Sequence, residues 1–322
     1  MSGTAARKST TGRVSAKPTA KGVSARTPAS PTPARRTTRA AQAKARAVRR
    51  RRIRVAASLG ILLALGLAVL ARGTWEVRTT RLNETHFVTD ELTAELRVVQ
   101  VTDFHNIPRT TQVRDIVELV RAAEPDLIAI TGDLVNTHNR TLDPARRLLA
   151  GLAGIDAPRY FVDGNHDHWS ADHAEVHRLL EAHGVTILDD EHTVITGGFG
   201  PVSLIGVDDY FTGNGDLAAA VDGLPDDGFR LVLTHSPEIL PELDAHGVDY
   251  AMCGHTHGGQ IRLPLVGAIY QPGGQLFPRI SKGAYTDGDA TLYIDSGLGT
   301  TGPEFRLFNQ SQVTLHRIGP QG

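Results

Sequence analysis

The order of hydrophobic periodicities along this chain predicts an α/β layered domain, preceded by a basic segment and an apolar helix. Three observations carry that expectation. From Leu96 to Leu188, short apolar runs rich in β-branched residues alternate with stretches at helical spacing. From Val202 onward strand-like runs dominate and helical spacing thins out. Five of the strand-like runs end in Asp, His or Asn. In open α/β sheets ligands bind at the carboxyl ends of strands, so the third observation points to a site as well as to a fold.

The 322 residues carry a formal net charge of −1, which is the sum of two opposed pieces. Residues 1–54 hold 16 Lys or Arg and no Asp or Glu, which leaves 18 of the 34 basic residues and all 35 acidic ones to the remainder. Residues 1–52 are mostly Ala, Ser, Thr, Pro, Lys and Arg, with too little apolar surface to offset ordering entropy, so a disordered tail is expected there. A basic tail also suits nucleic-acid contact, but no aromatic residues are interleaved for base stacking, which argues against that partner. Residues 53–72 contain an uncharged run of 17 residues, Val55–Ala71, closed by Arg72 and expected to be a transmembrane anchor. The positive flank is N-terminal, which puts the tail in the cytoplasm and the following domain outside. Export with cleavage stays open, because Val69 and Ala71 suit a small-residue cleavage site and the paired arginines suit twin-arginine export. Residues 73–95 read as a polar connector. The single cysteine, Cys253, excludes an intrachain disulfide framework.

Residues 96–318 form the expected folded domain. Leu96–Thr102 is an apolar strand. Gln112–Ala123 places Val113, Ile116, Val117 and Val120 on one helical stripe. Leu127–Thr131 reads as a buried strand, Pro144–Leu152 as a helix, Arg159–Val162 as a strand and Asp172–His183 as a helix. Strands are expected at Val185–Leu188, Val202–Val207, Leu231–Thr234, Tyr250–Cys253, Thr291–Asp295 and Val313–His316.

The residues just past the strands carry the chemistry. Asp103 and His105 follow the first, and Gly132 and Asp133 follow Leu127–Thr131. Gly164, Asn165, His166 and Asp167 come next, then His235, then His255 and His257 in CGHTHGGQ. Taken singly, an Asp here is a turn former and a His a hydrogen-bonded side chain. Taken together, imidazoles and carboxylates at five strand ends point to a metal site. Mixed Asp, Asn and His donors suit Mn, Fe or Zn better than Ca or Mg.

The series D-x-H, G-D, G-N-H, H and G-H-x-H resembles the calcineurin-like metallophosphoesterase superfamily. The longer stretches GHTHGGQIRLP (254–264) and IDSGLGTTGPEFRLF (294–308) resemble its membrane-anchored YkuE/YaeI-type branch. The resemblance implies two mixed β-sheets packed as a sandwich and flanked by helices. It implies two divalent metal ions, with Asp103, His105 and His257 on one, Asn165, His235 and His255 on the other, and Asp133 bridging. It further implies a metal-bridging hydroxide that attacks phosphorus, with His166 as acid or charge stabiliser held by Asp167. The implied substrate is a phosphoester; the short connector after the apolar run keeps the site near the lipid and favours a lipid-linked or envelope precursor over a soluble nucleotide, and a diesterase, a nuclease or a non-catalytic metal-binding module are alternatives. Two positions depart from many relatives: Asn136 stands where an Asp is usual, and Asp295–Ser296–Gly297 where Asn-Pro-Gly is usual. Arg306 is expected either to clamp a phosphate or to form a structural ion pair. His138, His168 and Asp209 lie near motif ends, where surface placement is expected ahead of contact with substrate, and Cys253 is expected buried in its strand.

Overall fold

A computed structural model describes residues 33–137, 141–225 and 227–321 of the chain. The chain divides into two units at Leu62/Leu63. Helix α1, Pro33–Arg78, begins in the first and continues into the second. Its first half departs from the disordered tail expected over residues 1–52, of which 1–32 lie outside the described residues. The reason is local: residues 40–47, AAQAKARA, are nearly all strong helix formers. No proline or cap interrupts the register before the apolar run. That run is exposed along the helix, and α1 is long and apolar enough to cross a membrane.

In the second unit, α1 is followed by β1 (Arg81–Val88), β2 (Leu96–Val101), α2 (Thr110–Ala122), β3 (Leu127–Thr131) and α3 (Asp143–Leu152). Then come β4 (Arg159–Val162), the single turn α4 (Asn165–His168), α5 (His173–Ala182), β5 (Val185–Ile187), β6 (Glu191–Gly197) and β7 (Gly200–Gly206). The remainder is α6 (Leu217–Val221), β8 (Arg230–Leu233), β9 (Tyr250–Cys253), β10 (Ile261–Leu263), β11 (Gly267–Gln271) and β12 (Gln275–Leu276). The last strands are β13 (Gly283–Asp287), β14 (Ala290–Ile294) and β15 (Gln312–Gly319).

Two six-stranded sheets result, in the orders β1-β15-β2-β3-β4-β5 and β13-β14-β9-β8-β7-β6, with a small third sheet β10-β11-β12. Both large sheets are mixed, and each keeps a parallel block, β2-β3-β4-β5 in one and β14-β9-β8-β7 in the other. Period-two alternation builds the layers. In β2, Val99 and Val101 turn to the helix-side core with Ile116, Val120 and Leu148. Val98 turns the other way, into the core between the sheets with Leu204, Leu231 and Met252. A third cluster, with Ile205, Val232 and Ile239, closes the outer face of the second sheet.

The connector expected at 73–95 is part of the fold. All eight residues of β1 pair in parallel with β15, from Arg81↔Gln312 to Val88↔Gly319. Only Leu82 and Phe87 of β1 pack against the cores, so the polar-rich sequence RLNETHFV hides an edge strand.

Candidate metal centre

The polar residues at the ends of β2, β3, β4, β8 and β9 meet. The ligand atoms of Asp103, His105 and His257 lie within 4.8 Å of one another, as do those of Asp103, Asp133 and His235, and those of His105, Asp133 and His166. Asp133 Oδ2 is 3.4 Å from His105 Nε2 and 3.2 Å from His235 Nε2, so this carboxylate stands between the two halves of the cluster. His105 and His257 stack with their Nε2 atoms 3.2 Å apart. Asn165 Oδ1 and His255 Nδ1 are 2.8 Å apart.

Backbone carbonyls orient two of the imidazoles. His235 Nδ1 donates to the Thr131 carbonyl at 2.9 Å, and His257 Nδ1 to the Gly299 carbonyl at 3.2 Å. Each thereby turns Nε2 toward a carboxylate, the arrangement that fixes a metal-ligating tautomer. The loops themselves are bent into the left-handed region: φ is +52° at Asp103, +49° at His105, +53° at Asp133, +66° at His255 and +50° at His257. Such angles cost of order 1–3 kcal/mol each and cluster at functional sites. Two glycines let the backbones close in. A Cβ on Gly254 would lie 2.1 Å from Thr102 Oγ1 and 2.5 Å from Asp103 Oδ2, and one on Gly164 2.5 Å from Asp133 Oδ1.

Burial and mutual charge set the electrostatics. Burial pushes Asp103 up to about 7 against the pull of His235. Burial also opposes a charge on Asp133, yet the His235 and His105 imidazoles outweigh it and hold the carboxyl well below the usual range. Burial drives His105 down to about 3, His255 to about 4 and His257 well below its ordinary value. His235 is raised, since Asp133 overcomes the burial that would lower it. Asp103 Oδ2 and His235 Nε2 are buried without a hydrogen-bond partner. Three neutral imidazoles, an anionic carboxylate beside His235, and orphaned ligand atoms in one buried cluster fit a cation of the Mn, Fe or Zn type, which would take the place of the His235 proton.

Three expectations need correction. Asp167 does not hold His166. Its carboxylate accepts the backbone N–H groups of Leu134, Val135 and Gly164 at 3.3, 3.1 and 3.1 Å, tying the loop after β3 to the loop after β4. His166 Nδ1 instead lies 2.7 Å from Thr137 Oγ1. Arg306 is placed to clamp neither a phosphate nor an acidic side chain: it is fully buried, donating to the carbonyls of Ser296 at 2.7 Å and Gly299 at 2.5 Å. Asp209 is buried rather than at the surface, accepting from the Thr212 N–H. His168 is half-buried with Nε2 2.6 Å from Asp208 Oδ1, Cys253 is buried, and His138 lies outside the described residues.

Sequence reasoning missed an aromatic wall. Half-exposed Trp169 packs edge-on to His166, with centroids 5.4 Å apart, and Phe211 lies 4.7 Å from His255. Trp169 stands only three residues beyond His166, but neither aromatic belongs to a periodic pattern. It also missed Asp163, which lies 3.1 Å from His173 Nε2 and 2.7 Å from His177 Nε2. The signal there was the i, i+4 spacing of the two histidines.

The profile of the calcineurin-like phosphoesterase family matches residues 96–259. The chain is 32% identical over 228 residues to the uncharacterized metallophosphoesterase YkoQ of Bacillus subtilis, covering 70% of this chain and 84% of that protein. It is 29% identical to phosphodiesterase YaeI of Escherichia coli, over 69% of this chain and 82% of that one. It is 31% identical to a Bos taurus protein named transmembrane protein with metallophosphoesterase domain, over 68% of this chain and 52% of that one. With the matched region containing all five strand ends, His255 and His257 included, the chain belongs to the calcineurin-like phosphoesterase family and is a phosphoester hydrolase.

Proposed function

We propose that the chain is a membrane-anchored, dinuclear metallophosphoesterase acting on a phosphoester at the membrane surface. Asp103, His105 and His257 would hold one ion and Asn165, His235 and His255 the other, with Asp133 shared between them. The observation that carries this reading is the place of Asp133 Oδ2 between His105 and His235, since a carboxylate oxygen has more than one lone pair to share and an imidazole nitrogen has one, while Oδ1 is held by the His166 N–H at 2.8 Å. When bound, the metal pair supplies Lewis acidity toward phosphoryl oxygens and acidifies water. The chain's own residues do the rest. The five strand-end loops hold the ligands against the developing charge. His166, with Nδ1 held by Thr137, gives a proton from Nε2 to the leaving oxygen as the ester P–O bond breaks and water oxygen adds to phosphorus; the water's proton leaves to solvent, and His166 regains one from solvent. Trp169 and Phe211 shield one side of the site.

The membrane part of the reading rests on α1 and on one cavity. A cleft of about 210 Å³ that His105 and Gly299 help to line is also lined by Val77 of α1. Val77 lies only six residues beyond Ala71, about 9 Å along the helix at roughly 1.5 Å per residue. A phosphoester whose alcohol is lipid-linked therefore suits the site. The phosphodiesterase name of the Escherichia coli relative favours a diester over a monoester.

The test is a panel of lipid-linked and soluble mono- and diesters on the full chain loaded with Mn, Fe or Zn. Asp133→Ala is expected to lose metal and all activity. His166→Ala is expected to keep both metals and lower kcat by about 10²–10⁴. Two metals per chain in the Asp133 variant, by elemental analysis, would sink the bridging role, and metal loss in the His166 variant would make His166 a ligand.

A further inference from the structure

We infer that the turn Leu263–Val266, with Phe308 and Trp75, is a second membrane contact that inserts into the headgroup and upper acyl region of the bilayer. The inference rests on the reading of α1 as a membrane span.

The turn between β10 and β11 is Pro264–Leu265–Val266, whereas water-facing turns favour Gly, Asn, Asp or Ser. Leu265 is 108% exposed and Val266 61%. Leu265 also holds a φ of +65°, a conformation that side-chain-bearing residues resist. The fold thus spends an unfavourable backbone angle to present an apolar side chain outward.

These residues are joined to the end of the apolar helix by a continuous set of contacts. Arg262 N–H donates to the Leu307 carbonyl at 2.9 Å, and Leu307 N–H to the Gln260 carbonyl at 3.2 Å, so β10 runs beside residues 307–308. Phe308 and the turn line one groove. The Arg72 guanidinium lies over the Phe308 ring at 4.9 Å and faces the Trp75 ring at 6.0 Å. Arg306 N–H donates to the Gly73 carbonyl at 3.3 Å, and a Cβ on Gly73 would fall 2.1 Å from the Phe305 ring. The patch therefore abuts residues 72–75, immediately past Ala71.

That position selects the occupant. If Val55–Ala71 spans the hydrocarbon, residues 72–75 lie at the lipid–water boundary, where Trp and Arg are the side chains found. An apolar turn and a Phe continuous with that boundary meet lipid first, as interfacial elements do. A span and a surface contact together fix the domain's tilt, which a single helix leaves free. The same Phe305–Phe308 segment carries Arg306, which holds the Gly299 carbonyl that orients His257. The metal centre is thus braced against the membrane-facing strip.

The test uses the full chain in phosphatidylcholine–phosphatidylglycerol vesicles. Cys253 is fully buried, so an environment-sensitive fluorophore goes selectively to Leu265→Cys or, as control, to Val194→Cys on the exposed edge strand β6. The label at 265 is expected to shift to the blue and be quenched by lipids brominated near the headgroup, and the label at 194 to remain accessible to aqueous iodide. Equal iodide quenching at both sites overturns the inference. So does protection at 265 that depends on protein concentration and ignores brominated lipid, which would make the occupant a second copy or another protein. The double variant Leu265→Asp, Val266→Asp is expected to turn over a vesicle-borne phosphoester roughly tenfold more slowly, the scale of one lost apolar side-chain burial, with a soluble ester unaffected. Equal rates on vesicle-borne ester count against the contact. Flotation of the unaltered chain with the vesicles separates the two readings, because an anchor that fails to float the chain removes the span itself.

Discussion

His168 shows at the scale of one residue how a neighbour sets a titration. The Asp208 carboxylate 2.6 Å from Nε2 raises its pKa to about 9, with burial opposing. The folded value is above the ordinary 6.5, so the fold favours the protonated form. Its contribution to stability is fully present below about pH 6.5 and is lost as pH rises through about 9. His168→Gln should flatten the dependence of the unfolding midpoint on pH across that window. An unchanged slope, by denaturant titration at several pH values, would assign the dependence elsewhere. Asp167 teaches a related lesson. Its neighbour in sequence is His166, but its oxygens are taken by three backbone amides, so it shapes the loops that carry Asp133 and Asn165.

At the scale of elements, the centre depends on strand ends being brought closer than side chains would allow. Gly254, after β9, faces Thr102 and Asp103, after β2 in the other sheet. Gly254→Ala puts a methyl where Thr102 Oγ1 and Asp103 Oδ2 now lie, so Asp103 must move. Metal affinity is expected to fall about 10–100-fold, the usual cost of disturbing a ligand's support, while secondary structure is retained. Competition with a chelator of known affinity measures it, and unchanged affinity would show that Asp103 either binds no metal or relaxes freely.

At the scale of the whole molecule, the folded unit starts well before Leu96. Glu76 Oε2 accepts the Asn309 N–H at 2.9 Å, the Glu76 carbonyl accepts the Ser311 N–H at 3.0 Å, and Val77 O accepts Gln112 Nε2 at 2.8 Å. A chain beginning at Gly73 keeps these bonds and β1, and should be folded and active on a soluble ester. A chain beginning at Leu96 leaves β15 as a long unpaired edge and should aggregate. Equal solubility and melting temperature in the two would mean that β1 adds nothing. Orientation belongs to this scale too. With 16 basic residues ahead of the apolar run, the domain should lie outside the cytoplasm. An impermeant thiol reagent on intact cells should label Gln321→Cys and spare Ser2→Cys, and the opposite pattern would reverse the topology.

Residue identity and local period were enough to find the βαβ order, most strand and helix positions from Leu96 on, and the Asp, Asn and His side chains that gather at the five strand ends. Metal ligation demands particular donor atoms, and donor atoms are written directly in side-chain type. Helix and strand cores likewise announce themselves through periods of 3.6 and 2. Other features were decided by partners distant in the chain. β1 is a strand because β15, 231 residues later, offers it a ladder, which no propensity in RLNETHFV reveals. Arg306 is buried because the carbonyls of Ser296 and Gly299 turn inward to receive it. The positive φ angles at Asp103, His105, Asp133, His255 and His257 arise where five loops must converge. In each case the free energy comes from a contact that exists only once the two sheets have packed, so the local sequence carries no trace of it.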